Sequence, residues 1–164
     1  MKQENFNSLG LLIMRLGLGL LLLFAHGAQK MLGWFGGYGW SGTMQFMTGT
    51  LGYPAFLSTI GIIVEFFGPL LLIAGAATRL VAILLMIHQF FAAQLHLANG
   101  FFMNYSGTLA PGQEGFEYNL ALIALSLGLF FTGAGVYALD AKFNLDFVGR
   151  WLSVKQPRPA VANL

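Results

Sequence analysis

The sequence predicts an all-α integral membrane protein: a four-transmembrane-helix bundle followed by a C-terminal amphipathic interfacial helix. Three observations carry this. Hydrophobic residues make up 57% of the 164-residue chain and charged residues only 9%, with a mean hydropathy of +0.71, well outside soluble-domain averages. Apolar runs at about 9–30, 55–77, 79–98 and 118–139 each approach or exceed the roughly 20 residues that cross a ~30 Å hydrocarbon core. The few ionisable residues inside those runs lie on faces rich in glycine and alanine, where membrane helices pack most closely.

The opening MKQENFNSLG lacks the small-residue cleavage site of a signal peptide, and Arg15 interrupts the run behind it, so a retained first span is expected. On that span Arg15, Gly19, Leu22, His26 and Lys30 share one helical stripe. The connection 31–54 places Trp34, Phe35, Tyr38, Trp40, Phe46 and Tyr53 among glycines, as an interfacial aromatic belt does; residues 41–50 read as a short surface helix. Span two aligns Gly61, Glu65, Gly68, Leu72 and Gly75. The very short turn from Gly75 to Arg79 makes spans two and three an antiparallel pair.

Span three aligns Gln89, Ala93 and His96, with His88 about a quarter turn away. The connection 99–117, which contains Pro111, reads either as an ordered cap or as a flexible loop. Span four aligns Glu117, Ala121, Ala124, Gly128, Thr132 and Gly135. Beyond it, Phe143, Phe147 and Trp151 recur near helical spacing beside Lys142, Arg150 and Lys155, which predicts an interfacial helix over 140–155 that Asp140 begins or caps. The closing QPRPAVANL is a tail. The whole of 1–164 is a single membrane domain.

Lys2, Arg79, Lys142, Arg150, Lys155 and Arg158 flank one set of helix ends and Lys30 alone the other, which predicts cytoplasmic termini. The pI is near 9.1, but the net charge is only +2, and no nucleic-acid partner is expected. Without cysteine the chain forms no disulfide and runs no thiol chemistry of its own. It contains no zinc pattern, nucleophile elbow, phosphate loop or dinucleotide fingerprint, and no metal site is expected.

With this topology His26 and Lys30, His96 and Glu117 all lie at outer helix ends, so three spans are expected to deliver them to one outward-facing pocket. Glu65 lies about midway along span two. Arg15, nearer the cytoplasm, is long enough to reach it, as a register-fixing ion pair or as part of a site; both readings stand. A single histidine near a helix end reads as interfacial, whereas two beside Lys30 and Glu117 point to a site. Paired histidines are a weak signal for haem, and the reading is against it.

These residues bring out a family likeness. Through RLGLGLLLLFAHGAQKMLG at Arg15 to Gly33, EFFGPLLLIAGAATR at Glu65 to Arg79, the histidine-bearing third span and GFEYNLALIALSLGLFFTGAGVYALD at Gly115 to Asp140, the chain resembles the DoxX family of small bacterial membrane proteins. The resemblance implies a four-helix bundle in the bacterial inner membrane. It also implies links to oxidoreductase systems, quinone or quinol chemistry and oxidative or thiol stress. By position it carries over Arg15, the His26, Gly27 and Lys30 group, Glu65, Arg79, Glu117 and Asp140.

The expected function is therefore a membrane oxidoreductase component that binds a quinone or a similar small aromatic redox molecule. Arg15, His26, Lys30, Gln89 and His96 would bind it, Glu65 and Glu117 would relay protons, and Arg79 and Asp140 would be structural. No covalent cofactor is implied. Lacking a flavin or metal motif, the chain needs a partner subunit to complete a redox cycle, and whether it is itself an enzyme stays open. The alternative is a non-enzymatic assembly subunit or small-molecule permeation bundle with a structural polar core. A lipid membrane is the expected surrounding under both, and a homo-oligomer is compatible with both.

Overall fold

The computed structural model describes residues 3–105, 107 and 113–154. The readings that fall on Lys2, Pro111, Lys155, Arg158 and the closing tail lie outside these residues. Every regular element among the described residues is helical. Three helices are long and apolar enough to cross a membrane: the first, Gln3–Leu32, the second, Ala55–Ala74, and the third, Thr78–Asn99. A fourth apolar helix, Glu117–Thr132, is shorter. The first packs on the second, the second on the third, the third on the fourth, and the fourth back on the first. Leu18, Leu22, Leu72, Leu85, Leu122 and Leu129 fill the space between them. Phe56, Phe67, Phe90 and Phe131 stand on the outside, where a spanning helix meets lipid.

One π-helical turn, Leu23–Gly27, interrupts the first helix. Such a turn inserts a residue and shifts the phase of everything after it. The buried positions accordingly run Arg15, Leu18, Gly19, Leu22 and then Gly27 and Ala28. His26 is therefore moved off the buried stripe on which regular spacing places it. Beyond the left-handed Gly33, a short helix Gly39–Gln45 lies over the helix ends, and its buried Thr43 donates its hydroxyl to the Lys30 carbonyl at 3.3 Å. Of the aromatic residues in this connection, Trp34, Phe35, Tyr38, Trp40 and Phe46 are exposed.

Two sequence-based boundaries are corrected. The fourth span, expected over 118–139, is helical only to Thr132. Gly133 and Gly135 take φ of +78° and +76°, a left-handed geometry that ends the hydrogen-bond ladder. Gly135 then rests on Ser8, whose Oγ accepts the Val136 N–H at 3.2 Å. At about 1.5 Å per residue the 16 residues of this helix reach roughly 24 Å. The single helix expected over 140–155 is two short ones, Leu139–Phe143 and Phe147–Val154. They are separated where Asn144 adopts φ +56°.

The connection after the third helix is tied at both of its ends. Gly115 N–H donates to Phe102 O at 3.0 Å and Glu117 N–H to Phe101 O at 2.9 Å, so the chain doubles back before entering the fourth helix.

Candidate functional site

Glu65, midway along the second helix, is 2% exposed. An isolated carboxylate at that depth would be costly, and the protein supplies it with a cation. Lys30 Nζ, from the last turn of the first helix, sits 2.6 Å from Glu65 Oε2. His88 Nε2, from the third helix, lies 3.7 Å from the same oxygen. His26 is half-buried and feels Glu65, Lys30 and His88 electrostatically. Its ring lies 6.0 Å from that of Tyr118 on the fourth helix. All four helices thus contribute to one cluster, on the side of the array where the first helix ends.

Backbone geometry brings Lys30 to Glu65. A Cβ at Gly27 would collide with the Glu65 carbonyl oxygen and lie 3.0 Å from Phe66 Cα, so only glycine permits this approach of the first and second helices. Pro69, four residues on, has no N–H with which to bond that carbonyl. The ladder is open at the place where Gly27 packs against it. We expect Gly27→Ala to cost about 1–3 kcal/mol through overpacking against rigid backbone and to part Lys30 from Glu65. Gly17→Ala, where nothing lies within 4 Å of the added methyl, should be neutral or slightly stabilising. Thermal unfolding of the two purified variants in detergent checks the contrast; equal midpoints would refute it.

The cluster is open on one side and closed on the other. The Lys30 side chain is 37% exposed. His88 Nδ1 is buried with no hydrogen-bond partner among the described residues. The small surface of Gly61 makes room for that ring, and the Met47 methyl from the connection between the first and second helices also borders Gly61. Next to His88, Gln89 faces the other neighbour of the third helix: its Oε1 accepts from Asn119 Nδ2 at 2.9 Å, and both side chains are buried. Among the described residues, no three His, Cys, Asp or Glu side chains are grouped so as to hold a metal ion.

His96 and Glu117, expected in one pocket with His26 and Lys30, take their hydrogen bonds elsewhere among the described residues. No hydrogen bond or ion pair among the described residues joins His96 or Glu117 to the Glu65 group; both serve the 99–117 connection. His96 Nδ1 lies 2.9 Å from Glu114 O. Glu117 Oε2 accepts the Met103 N–H at 3.3 Å and the Tyr105 hydroxyl at 3.0 Å, and that hydrogen bond raises the Tyr105 pKa above its ordinary value. Hydrogen bonding to nearby loop groups outcompetes a reach across the helix ends.

Arg15 also departs from expectation. It does not pair with Glu65; its Nη1 donates to Leu72 O at 3.2 Å and Ile73 O at 3.3 Å, and its Nη2 to Tyr137 O at 2.6 Å. It therefore caps the end of the second helix, sharing the Leu72 carbonyl with the Gly75 N–H, which lies 3.1 Å from it. Two similar caps sit at the same end. Asp140 accepts the Ala77 N–H at 2.6 Å and the Thr78 N–H at 2.9 Å, so it caps the third helix as well as opening its own short one. Those bonds also hold Ala77 at φ +49°. Arg79 donates Nη1 to the Phe130 and Phe131 carbonyls at the end of the fourth helix, and its Nε lies 3.0 Å from Asp146 Oδ2.

His88 is the site residue that the stripes missed. A helix with two neighbours carries two polar stripes about a quarter turn apart, and the His88–Gln89 adjacency was the available signal.

Comparison with known proteins gives the family. The family model described as DoxX matches residues 10–102. "Putative oxidoreductase CatD" of Bacillus subtilis (strain 168) is 31% identical over 132 residues, 80% of this chain and 85% of that protein. "Inner membrane protein YqjF" of Escherichia coli (strain K12) is 28% identical over 141 residues, 86% of this chain and 97% of that protein. No solved structure matches. With its match extending over more than half the sequence and three helices able to cross a bilayer, the chain is a helical membrane protein and belongs to the DoxX family.

Proposed function

We propose that the protein is a four-span oxidoreductase component of the bacterial inner membrane, with cytoplasmic termini, that binds a quinone or quinol at the Lys30–Glu65–His88 cluster. The observation that carries the reading is the buried Glu65 held between Lys30 and His88, with His88 Nδ1 left without a partner. A quinone needs donors for its carbonyl oxygens and, as quinol, an acceptor for its hydroxyl protons, within apolar surroundings. Lys30, whose side chain is 37% exposed, supplies donors, and the buried, unpartnered His88 Nδ1 becomes the acceptor when the ligand parts the side chains covering it. Glu65 steadies the cation and passes protons between His88 and Lys30. Reduction of the quinone takes up two electrons and two protons, and the electrons come from a redox centre in a partner subunit. The oxidoreductase name of the Bacillus relative supports this class of chemistry.

His26, opposite Tyr118, lines the approach between the first and fourth helices, and the Gln89–Asn119 pair backs the cluster. His96 and Glu117 bond Glu114, Met103 and Tyr105 in the connection between the third and fourth helices. The competing reading, a non-enzymatic assembly or permeation bundle, is favoured by the capping use of Arg15, Arg79 and Asp140, which shows polar residues serving architecture at the other end.

Titration of purified protein with a short-chain quinone, read by tryptophan fluorescence, separates the two. His88→Ala and Glu65→Gln should each weaken binding about tenfold, the scale of one lost interaction worth ~1.4 kcal/mol, while helicity is retained. Unchanged curves for both variants would overturn the quinone reading, and lowered stability alone would favour the structural one.

A further inference from the structure

At the end of the array opposite Glu65 lies an open concavity of ≈ 520 Å³ lined by Arg79, Asn144, Asp146, Gly149, Arg150 and Ser153. We propose that this groove binds the phosphate of an anionic phospholipid. The inference is independent of the ligand at Glu65.

Charge is the first support. Two guanidiniums and one carboxylate line the groove, and that carboxylate is already engaged on both oxygens. Asp146 Oδ2 faces Arg79 Nε at 3.0 Å, and Oδ1 accepts the Gly149 N–H at 2.8 Å. Arg150 is exposed, and its side chain makes one hydrogen bond among the described residues, from Nη1 to the Asn144 carbonyl. That bond fixes the guanidinium at the rim and leaves most of its five N–H donors available. A guanidinium held in this way matches a phosphate's paired oxygens better than a freely rotating ammonium does.

Depth is the second. Arg79 belongs to the first turn of the third helix, and its guanidinium bonds the last carbonyls of the fourth. The groove therefore lies at the level where two apolar helices end, which in a bilayer is the headgroup layer. Apolar surface is the third. Phe143, Phe147 and Trp151 on the two short helices flanking the groove are 58%, 48% and 57% exposed. Aromatic rings in that position sit at the boundary of headgroup and acyl chain. A free phosphate ion has no use for them, whereas a phospholipid engages both the arginines and the rings.

The test is lipid retention by the full-length protein, measured by native mass spectrometry after exchange into mixed micelles of phosphatidylglycerol and phosphatidylcholine. Wild type should retain phosphatidylglycerol at least fivefold over phosphatidylcholine, and 10 mM inorganic phosphate should not displace it. Arg150→Gln should abolish the preference, and Arg150→Lys should restore part of it. Arg79 is not varied, because it also holds the fourth helix. Equal retention of the two lipids by wild type, or an unchanged preference in Arg150→Gln, would overturn the proposal. So would full displacement by inorganic phosphate, which would assign the groove to the free ion.

Discussion

Arg15→Met is expected to destabilise the protein by about 3 kcal/mol or more. The Arg15 side chain is fully buried and donates to carbonyls on two separate segments, Leu72 and Ile73 at the end of the second helix and Tyr137 beyond the fourth. Each charge-assisted bond is worth about 1.5–3 kcal/mol, but their sum overstates the loss, because deleting the ion also removes its own burial cost. What remains is the loss of a charged donor shared by the buried Leu72 carbonyl and the part-buried carbonyls of Ile73 and Tyr137. Arg15→Lys keeps the charge but not the planar fork that reaches both segments, so an intermediate loss is expected. Helicity followed through a denaturant titration in detergent measures both. A methionine variant as stable as wild type would show that these bonds contribute nothing net.

The second large effect is at the other end of the array. Lys30→Met leaves Glu65 buried without its cation. For a fully buried pair, removing one partner costs about 3–5 kcal/mol. The 37% exposure of the Lys30 side chain lets water offset part of this, so about 2–4 kcal/mol is expected. Lys30→Met combined with Glu65→Gln should recover most of the loss, since neither charge is then stranded. A double-mutant cycle in which the two single effects simply add would mean that the pair is not coupled.

The sequence reveals much of this protein because the bilayer leaves few choices. Backbone groups in hydrocarbon must bond within their own segment, so long apolar runs become helices and glycine-rich stripes become contacts. Gly19 and Gly27 do pack against the second helix, and Lys30 and Glu65 are legible as interior polar residues. The end of the fourth helix was also open to reading, in the Gly133 and Gly135 spacing, but an apolar window that continues to Leu139 hides it.

Partners are a different matter. A helical wheel gives each side chain a direction on its own helix, but not the stagger or rotation of one helix against another. The π-helical turn at Leu23–Gly27 shifts the first helix by one residue; no regular period contains that shift, and it decides where His26 stands. Arg15 and Lys30 both lie within a long reach of a mid-helix carboxylate. Helix stagger gives Glu65 to Lys30 and places Arg15 at the carbonyls of Leu72 and Ile73.

Composition and spacing by themselves determined a membrane-embedded helical chain, its interior faces and the identity of most of its polar residues, because those follow from solvent and from the 3.6-residue repeat. Only the tertiary structure decided that Glu65 answers to Lys30 and His88, that His96 and Glu117 serve a connection, and that Asp140 caps a helix begun 62 positions earlier. Hydrogen bonds and ion pairs act over about 3 Å, and such distances between segments far apart in sequence are set by how whole helices pack.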